Sequence, residues 1–260
     1  MIRLVASDID GTLLQGDAKT LPEALFPLIR RLAQQGIAFC AASGRQYTSL
    51  RRLFAPVADE IYYLCENGAI VYGKGETAPV LGKTAMDRAL AEQLIGEIVA
   101  RPECEVLISG ANISYLMPKA QEVVTHIRDF TGNNIALIQN PGEIQEDIIK
   151  VSAFCVPDTR KTEAELAPKW NRHFRGAVAG LQWLDFTLAD KGVGIRTLCQ
   201  SLNILPEEVM AFGDNFNDVP MLETVGHPVL METAHPALLA RFPVQCGNVP
   251  AFLENHFFKE

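Results

Sequence analysis

The stretch "VASDIDGTLL", residues 5–14, places two acidic side chains directly after an apolar run. The run itself, "IRLVAS" (2–7), is short, branched and apolar, which is typical of a buried strand. Asp8 and Asp10 follow at its end. Two carboxylates so close together repel each other and cost stability unless a cation or a reaction needs them. The stretch therefore predicts a buried strand that ends in a functional site.

Further apolar strands alternate with helical patterns after this stretch and again in the last part of the chain. Strand candidates are "IAFCAAS" (37–43), "EIYYLC" (60–65) and "EVMAFGD" (208–214), and "AIVY" (69–72) is expected to pair through a turn at Asn67-Gly68. A helix is predicted from Pro22, which suits a first helical turn, to a stop at Gly36. Such alternation indicates a parallel sheet covered by helices on both faces.

The middle of the chain has a different pattern. Between residues 81 and 187, strand candidates follow one another in hairpins, with helices between them. This pattern predicts an α+β module, an antiparallel sheet with helices on one face. We therefore predict an α/β fold with a doubly wound, Rossmann-like parallel-sheet core formed by residues 1–80 and 188–260. The inserted α+β domain would occupy residues 81–187.

Composition limits the partners. The chain has 260 residues and a net charge of −8, which gives no attraction to nucleic acid or to an anionic membrane surface. No apolar run approaches the roughly 18 residues of a membrane span. Six cysteines are scattered without a CxxC pair, as expected for reduced core thiols in a cytoplasmic protein. A monomer or homodimer is expected.

Polar residues interrupt the chain at four predicted element boundaries. They are "DIDGT" (8–12), "SGR" (43–45), "GDNFND" (213–218) and Lys191-Gly192, which opens a helix. In open parallel sheets the ligand crevice lies at the carboxyl ends of the strands. We therefore expect all four to meet at one edge of the sheet.

Their chemistry suits a phosphate ester and a metal ion. Asp8, Asp10 and Asp214 offer the hard oxygen ligands that Mg²⁺ takes. Lys191 and Ser43, with the backbone amides near the glycines, can hold the oxygens of an anion. The cation and the lysine together would offset the repulsion between the acids and a phosphate. One carboxylate can then attack phosphorus while the other moves the proton.

In this order the motifs "DIDGTLL", "ASGR", "KG" and "GDNFND" resemble the four motifs of the haloacid dehalogenase-type phosphatases. The large insertion between the second and third motifs resembles the Cof-like branch, which carries a big α/β cap there. "ENGA" (66–69) and "NDVPML" (217–222) also match that branch. Each motif alone also fits an ordinary turn or loop, so the resemblance depends on all four in sequence.

The resemblance implies a role for each matching residue. Asp8 would be the nucleophile, and Asp10 would be the acid/base and would bind the metal through its carbonyl oxygen. The metal residues would be Asp8, Asp10, Asp214 and Asp218, the last supporting the metal shell. The phosphate-binding residues would be Ser43, Gly44, Lys191 and Asn217. Arg45 and Asn67 are expected to shape the loops rather than to touch substrate.

The predicted activity is that of a cytoplasmic Mg²⁺-dependent phosphatase. Its substrate would be a small phosphorylated metabolite, with a sugar phosphate favoured because a cap favours compact substrates. The reaction would pass through an aspartyl phosphate. One alternative is a sugar phosphotransferase or phosphomutase that passes the phosphoryl group to a sugar hydroxyl. Another is a non-catalytic module that binds a phosphometabolite, and the intact acids and lysine argue against it.

Overall fold

A computed structural model describes residues 1–111, 113–131, 134–179 and 181–259, without the side chains of residues 129–131 and 179. The chain forms two compact units, one of residues 1–82 and 190–260 and the other of residues 83–189. Each boundary lies two residues after the one expected from the sequence. At the first boundary, the strand Val80–Lys83 continues the sheet of the first unit.

The elements are numbered along the chain. The strands are β1 (Leu4–Ser7), β2 (Ala38–Ala42), β3 (Tyr62–Cys65), β4 (Ile70–Tyr72), β5 (Val80–Lys83), β6 (Cys104–Ser109), β7 (Ser114–Leu116), β8 (Ile135–Leu137), β9 (Lys150–Cys155), β10 (Arg175–Ala179), β11 (Trp183–Thr187), β12 (Val209–Gly213), β13 (His227–Met231) and β14 (Gln245–Cys246). The helices are α1 (Leu25–Gln34), α2 (Tyr47–Leu53), α3 (Arg88–Val99), α4 (Gln121–Thr131), α5 (Arg160–Trp170), α6 (Lys191–Leu202), α7 (Val219–Thr224), α8 (Pro236–Leu239) and α9 (Val249–Phe257).

The first unit is built on one sheet of order β14-β13-β12-β1-β2-β3-β4-β5. From β14 to β3 neighbouring strands are parallel, and β4 is antiparallel to β3. The predicted turn between β3 and β4 is present, with φ of 54° at Asn67 and 92° at Gly68. Because the pleat sends alternate side chains to opposite faces, strands that are buried on both faces read as continuous apolar runs.

Helices cover both faces of this sheet. On one face Leu198 of α6, Leu222 of α7 and Leu238 of α8 share a core with Leu4 and Ala211. On the other face α1 packs against β2 and α9, and the rings of Phe212 in β12 and Phe252 in α9 meet edge-on at 5.5 Å. The doubly wound α/β core predicted from the sequence is confirmed.

Helix α1 begins at Leu25, so the predicted start at Pro22 is wrong. The amide of Leu25 donates to the carbonyl of Pro22 at 2.9 Å, which closes a turn before the helix. Pro27 is the proline in the first helical turn, where the missing N–H has no intrahelical partner to lose. At the other end the predicted stop is correct, because Gly36 takes a φ of +77° just beyond the helix.

The second unit has a sheet of order β10-β11-β9-β6-β7-β8. Its pairs are antiparallel except β7 with β8, which is parallel, so the prediction of a purely antiparallel sheet is wrong. Helices α3 and α5 pack on one face, where Leu94 and Leu166 join Val106. Helix α4 packs on the other face through Val124, which meets Leu107. The prediction of helices on one face is therefore also wrong, because Leu107 of β6 and Phe154 of β9 form an apolar patch on the face opposite α3 and α5.

The cysteines and the helices agree with two compositional expectations. All six cysteines lie among the described residues, are buried and form no disulfide. Buried thiols of this kind behave as small hydrophobic side chains. Among the described residues, no helix combines the length and the apolar character needed to cross a membrane.

Candidate active site

The sequence-predicted site residues lie in the first unit, where Lys191 opens helix α6 and the others follow the carboxyl ends of strands. Strand β1 ends at Ser7, and the amide of Asp8 donates to the carbonyl of Phe212 in β12 at 2.9 Å. Ser7 is in register with Ala41 of β2. Ala41 is the last residue but one of β2 and lies two residues before Ser43. Parallel pairing therefore brings the ends of β12, β1 and β2 to the same edge of the sheet.

A tight loop after β1 turns the chain beside Asp214. The amide of Leu14 donates to the carbonyl of Ile9 at 2.7 Å and closes the loop. Gly11 has a φ of +94°, and a Cβ built on it would lie 2.2 Å from Asp214 Oδ2. Only a glycine permits both this backbone conformation and this approach. Thr12 Oγ1 then donates to Asp214 Oδ1 at 3.2 Å.

Lys191 joins two of the predicted acids. Its ammonium donates to Asp8 Oδ1 and to Asp218 Oδ1, each at 2.5 Å. The Lys191 and Asp218 side chains are 0% exposed and that of Asp8 is 6% exposed. Asp190 caps helix α6 by accepting from the amide of Val193, which fixes Lys191 in the first helical turn.

Burial and charge shift the pKa values in this cluster. Burial raises the pKa of Asp8 well above its ordinary value, and the Asp218 carboxylate raises it further, while Lys191 opposes both. Burial lowers the pKa of Lys191, but the carboxylates of Asp218 and Asp8 outweigh burial and raise it. Burial and Asp218 also raise the pKa of Asp214. Lys191 therefore stays cationic between acids whose negative charge it does not fully compensate.

Asp8, Asp214 and Asp218 form a group whose carboxylate oxygens lie within 4.8 Å of one another. When all three carboxyl groups are ionised, one ammonium leaves an excess of two negative charges, which a divalent cation would match. Asp8 Oδ2 is buried and has no hydrogen-bond donor, although a buried acceptor without a partner is costly. The group therefore fits a hard dication such as Mg²⁺.

Asp218 has little capacity left for a metal ion. One of its oxygens accepts from Lys191, and the other, Oδ2, accepts from the amides of Asp214 and Asn215 at 3.0 and 3.1 Å. These bonds hold the loop that carries Asp214. The geometry thus suits Asp218 to the supporting role that the sequence resemblance implies.

Asp10 stands apart from the buried carboxylates. Its side chain is 55% exposed and is paired with Arg45, whose Nε donates to Oδ2 at 2.8 Å and whose Nη2 donates to Oδ1 at 2.5 Å. The Asp10 carboxylate is therefore not part of the cluster formed by Asp8, Asp214 and Asp218. A metal role for Asp10 through its carbonyl oxygen stays a prediction.

Two loops hold the predicted phosphate-binding residues. Ser43 is buried, and its Oγ accepts from the amide of Arg45 at 3.2 Å. Asn217 Nδ2 donates to Asn67 Oδ1 at 3.4 Å, and a Cβ on Gly44 would lie 3.2 Å from the same Asn67 side chain. Asn67 thus joins the loops after β2 and β12. Sequence reasoning left Asn67 and Arg45 out of the site, and the motifs "ENGA" and "SGR" that contain them were the available signals.

Comparison with known proteins gives the same family across nearly the whole chain. The sequence model of the haloacid dehalogenase-like hydrolases matches residues 5–249. A 5-amino-6-(5-phospho-D-ribitylamino)uracil phosphatase of Escherichia coli is 26% identical over 257 residues, covering 95% of this chain and 91% of that protein. An HMP-PP phosphatase of Serratia proteamaculans is 27% identical and covers 94% of this chain and 88% of its own length.

A solved structure agrees in fold. A crystal structure from Eubacterium rectale superposes with a TM-score of 0.88 at 26% identity and covers 98% of both chains. Agreement over this length includes the first unit and the inserted second unit. The match confirms the α/β architecture predicted from the sequence.

Proposed function

This chain belongs to the haloacid dehalogenase-like hydrolases, and we propose that it is a Mg²⁺-dependent phosphatase that hydrolyses a small phosphorylated metabolite through an aspartyl phosphate on Asp8. The family and the phosphatase class predicted from the sequence are confirmed: the chain is a phosphoric monoester hydrolase. The metal, the covalent intermediate and the identity of the substrate are our proposals.

One observation carries the proposal. Lys191, fully buried, donates to Asp8 and Asp218, and Asp8 keeps a second oxygen without a donor beside Asp214. An ordinary ion pair needs one carboxylate for one ammonium. A buried excess of acids is costly and is typical of sites that bind a cation or carry out chemistry.

In the first step the Asp8 carboxylate attacks phosphorus. A bond forms between the carboxylate oxygen and phosphorus, and the bond between phosphorus and the leaving oxygen breaks. Asp10 gives its proton to the leaving oxygen, so the product leaves as an alcohol. The ammonium of Lys191 stays between Asp8 and Asp218 and fixes the direction of the attacking carboxylate.

In the second step water attacks the phosphorus of the aspartyl phosphate. Asp10, now a carboxylate, takes a proton from this water, and the bond between phosphorus and Asp8 breaks. Inorganic phosphate is released and Asp8 returns to its carboxylate form. Splitting one displacement into two uses a single acid/base residue twice, once in each direction.

Mg²⁺ would be held by Asp8, Asp214 and the carbonyl oxygen of Asp10, with Asp218 supporting the loop of Asp214. When bound, the ion supplies positive charge that offsets the charge of the transferring phosphoryl group. Ser43, Gly44 and Asn217 would bind the phosphate oxygens together with Lys191.

We propose that the leaving group is a sugar or sugar alcohol. The E. coli relative is named for a phosphate on a D-ribityl chain. The inserted unit, residues 83–189, would be the cap that selects this leaving group, as the resemblance implies. The buried thiols suit a reducing compartment, and we place the activity in the cytoplasm.

A screen of phosphorylated metabolites with Mg²⁺ tests the proposal. Released inorganic phosphate is the measured product, and isomerised substrate would instead indicate a mutase. Asp8→Asn, verified by mass spectrometry as not deamidated, is expected to release none while keeping the circular dichroism spectrum of the unchanged protein. Phosphate release by that variant at a substantial rate would contradict the assignment of Asp8.

A further inference from the structure

Arg45 holds the carboxylate of Asp10 in one orientation. Two hydrogen bonds join them, Nε to Oδ2 at 2.8 Å and Nη2 to Oδ1 at 2.5 Å. A two-point bond between a guanidinium and a carboxylate fixes direction as well as distance. We propose that Arg45 is the positioning residue for Asp10 and keeps its carboxyl group where it can transfer a proton. This inference rests on the proposed phosphatase function.

The backbone of Arg45 is itself fixed. Its amide donates to Ser43 Oγ at 3.2 Å, and its carbonyl accepts from the amide of Glu66 at 3.1 Å. The carbonyl of Ser43 accepts from the amide of Asn67 at 3.0 Å, so the loop after β2 is tied to the turn before β4. The guanidinium therefore extends toward Asp10 from an anchored point rather than from a free loop.

The orientation of the Asp10 carboxyl group depends on its contact with Arg45. Its side chain is 55% exposed, and no other side-chain partner is seen for it among the described residues. Without Arg45 the carboxyl group can rotate into solvent, which lowers the fraction of time spent at proton-transfer distance. Asp8 and Asp218, by contrast, are held by the buried Lys191.

Arg45 does not transfer the proton itself. The hydrogen bond to Asp10 raises the pKa of the Arg45 guanidinium above an already high value, so it remains a cation.

A positioning role and a phosphate-binding role of Arg45 would have different effects on the rates for different substrates. Loss of phosphate binding would slow every substrate alike. Loss of Asp10 positioning would slow those substrates whose leaving oxygen needs a proton.

The test compares two leaving groups in the full-length protein with Mg²⁺. The substrates are p-nitrophenyl phosphate, whose phenolate leaves without a proton, and an alkyl phosphate such as glycerol phosphate. The quantity is kcat/KM, which reports the attack of Asp8 and not the later attack of water. Arg45→Met should lower kcat/KM for the alkyl phosphate about 10- to 100-fold, part of the roughly 10²–10⁴ that acid–base catalysis contributes. The aryl phosphate should lose about threefold or less.

Two further variants separate the loss of Asp10 orientation from two other effects, the loss of a positive charge and a general change in the fold. Arg45→Lys keeps the charge without the two-point geometry, so it should resemble Arg45→Met on the alkyl phosphate. Arg30→Met is the matched control, because Arg30 makes the same kind of two-point contact with Glu60 outside the site, Nε to Oε2 at 3.1 Å and Nη2 to Oε1 at 2.8 Å. It should leave both kcat/KM values unchanged.

The outcomes distinguish this inference from the function it rests on. If the unchanged protein hydrolyses both esters and Arg45→Met loses the same factor on each, or loses nothing, the positioning role is overturned while the phosphatase assignment stands. Full activity of Arg45→Lys on the alkyl phosphate would also overturn it. If the unchanged protein hydrolyses neither ester with Mg²⁺, the proposed Mg²⁺-dependent function on small phosphate esters falls and the inference falls with it.

Discussion

The charge of Lys191 is expected to stabilise the folded protein by compensating the buried carboxylates beside it. Lys191→Met removes this charge and keeps an unbranched side chain of similar length. In the protein the ammonium is 0% exposed and donates to two carboxylates at 2.5 Å each. Without it, Asp8 and Asp218 would face each other in a buried site with no cation between them. Breaking a buried ion pair by removing one partner costs about 3–5 kcal/mol. We expect a loss of that size in the free energy of unfolding.

Urea unfolding without Mg²⁺, followed by far-ultraviolet circular dichroism, measures this loss. The matched control is Lys83→Met, which removes an ion pair with Asp147 whose side chains are 38% and 55% exposed. Exposed pairs contribute about 0–1 kcal/mol, so the control should stay within about 1 kcal/mol of the unchanged protein.

The pH dependence gives a second test of the same variant. Lys191 lowers a pKa of Asp8 that burial and Asp218 raise, so its removal should raise the pKa of Asp8 further. A carboxyl group with a raised pKa binds protons more tightly in the folded state than in the unfolded state. Folding stability then increases as the pH falls through that pKa. The deficit of Lys191→Met should therefore shrink from neutral toward acidic pH.

Two results would refute this reasoning. One is a deficit below about 1 kcal/mol at neutral pH, the range of an exposed pair. The other is a full deficit that does not change on acidification, since the uncompensated negative charge could then not be its cause.

The remaining predictions concern the metal site. Chelation should stop phosphate release and added Mg²⁺ should restore it, because three carboxylates otherwise face the phosphate; full activity in protein shown to be metal-free by elemental analysis would contradict this. In Gly11→Ala the new Cβ would lie 2.2 Å from Asp214 Oδ2 and would displace this carboxylate. Mg²⁺-dependent activity should therefore fall roughly 10- to 100-fold, as it does when a supporting contact at a metal site is lost. Gly16→Ala is the control, since Gly16 also has a positive φ, +58°, but nothing lies within 4 Å of its Cβ; equal losses in the two variants would argue against the contact with Asp214.

The sequence predicts the core sheet well because its strands are buried on both faces. Apolar runs such as "IAFCAAS" have the length of buried strands, and each ends where a polar motif begins. Parallel strands align their carboxyl ends, so Asp8, Ser43 and Asp214 could be assigned to one edge without coordinates. The order of the four motifs then gave the family.

Other features depend on contacts between distant residues. Nothing in the spacing shows that Arg45 reaches back to Asp10, 35 residues earlier, or that Lys191 joins Asp8 and Asp218. Helix α4 has an apolar side, but its sequence does not show which face of the second sheet receives it. Leu107 and Phe154 on that face decide it. The parallel pairing of β8 likewise depends on how α4 returns the chain.

The central claim is that Asp8 carries the phosphoryl group, and borohydride trapping tests it most directly. Borohydride reduces an acyl phosphate to an alcohol, so a phosphorylated Asp8 becomes homoserine, which peptide mass spectrometry locates. We predict homoserine at residue 8 when the full-length protein turns over a phosphorylated substrate with Mg²⁺, and none when substrate is omitted. Phosphate release under these conditions with an unreduced Asp8, or with reduction at another carboxylate, would contradict the claim.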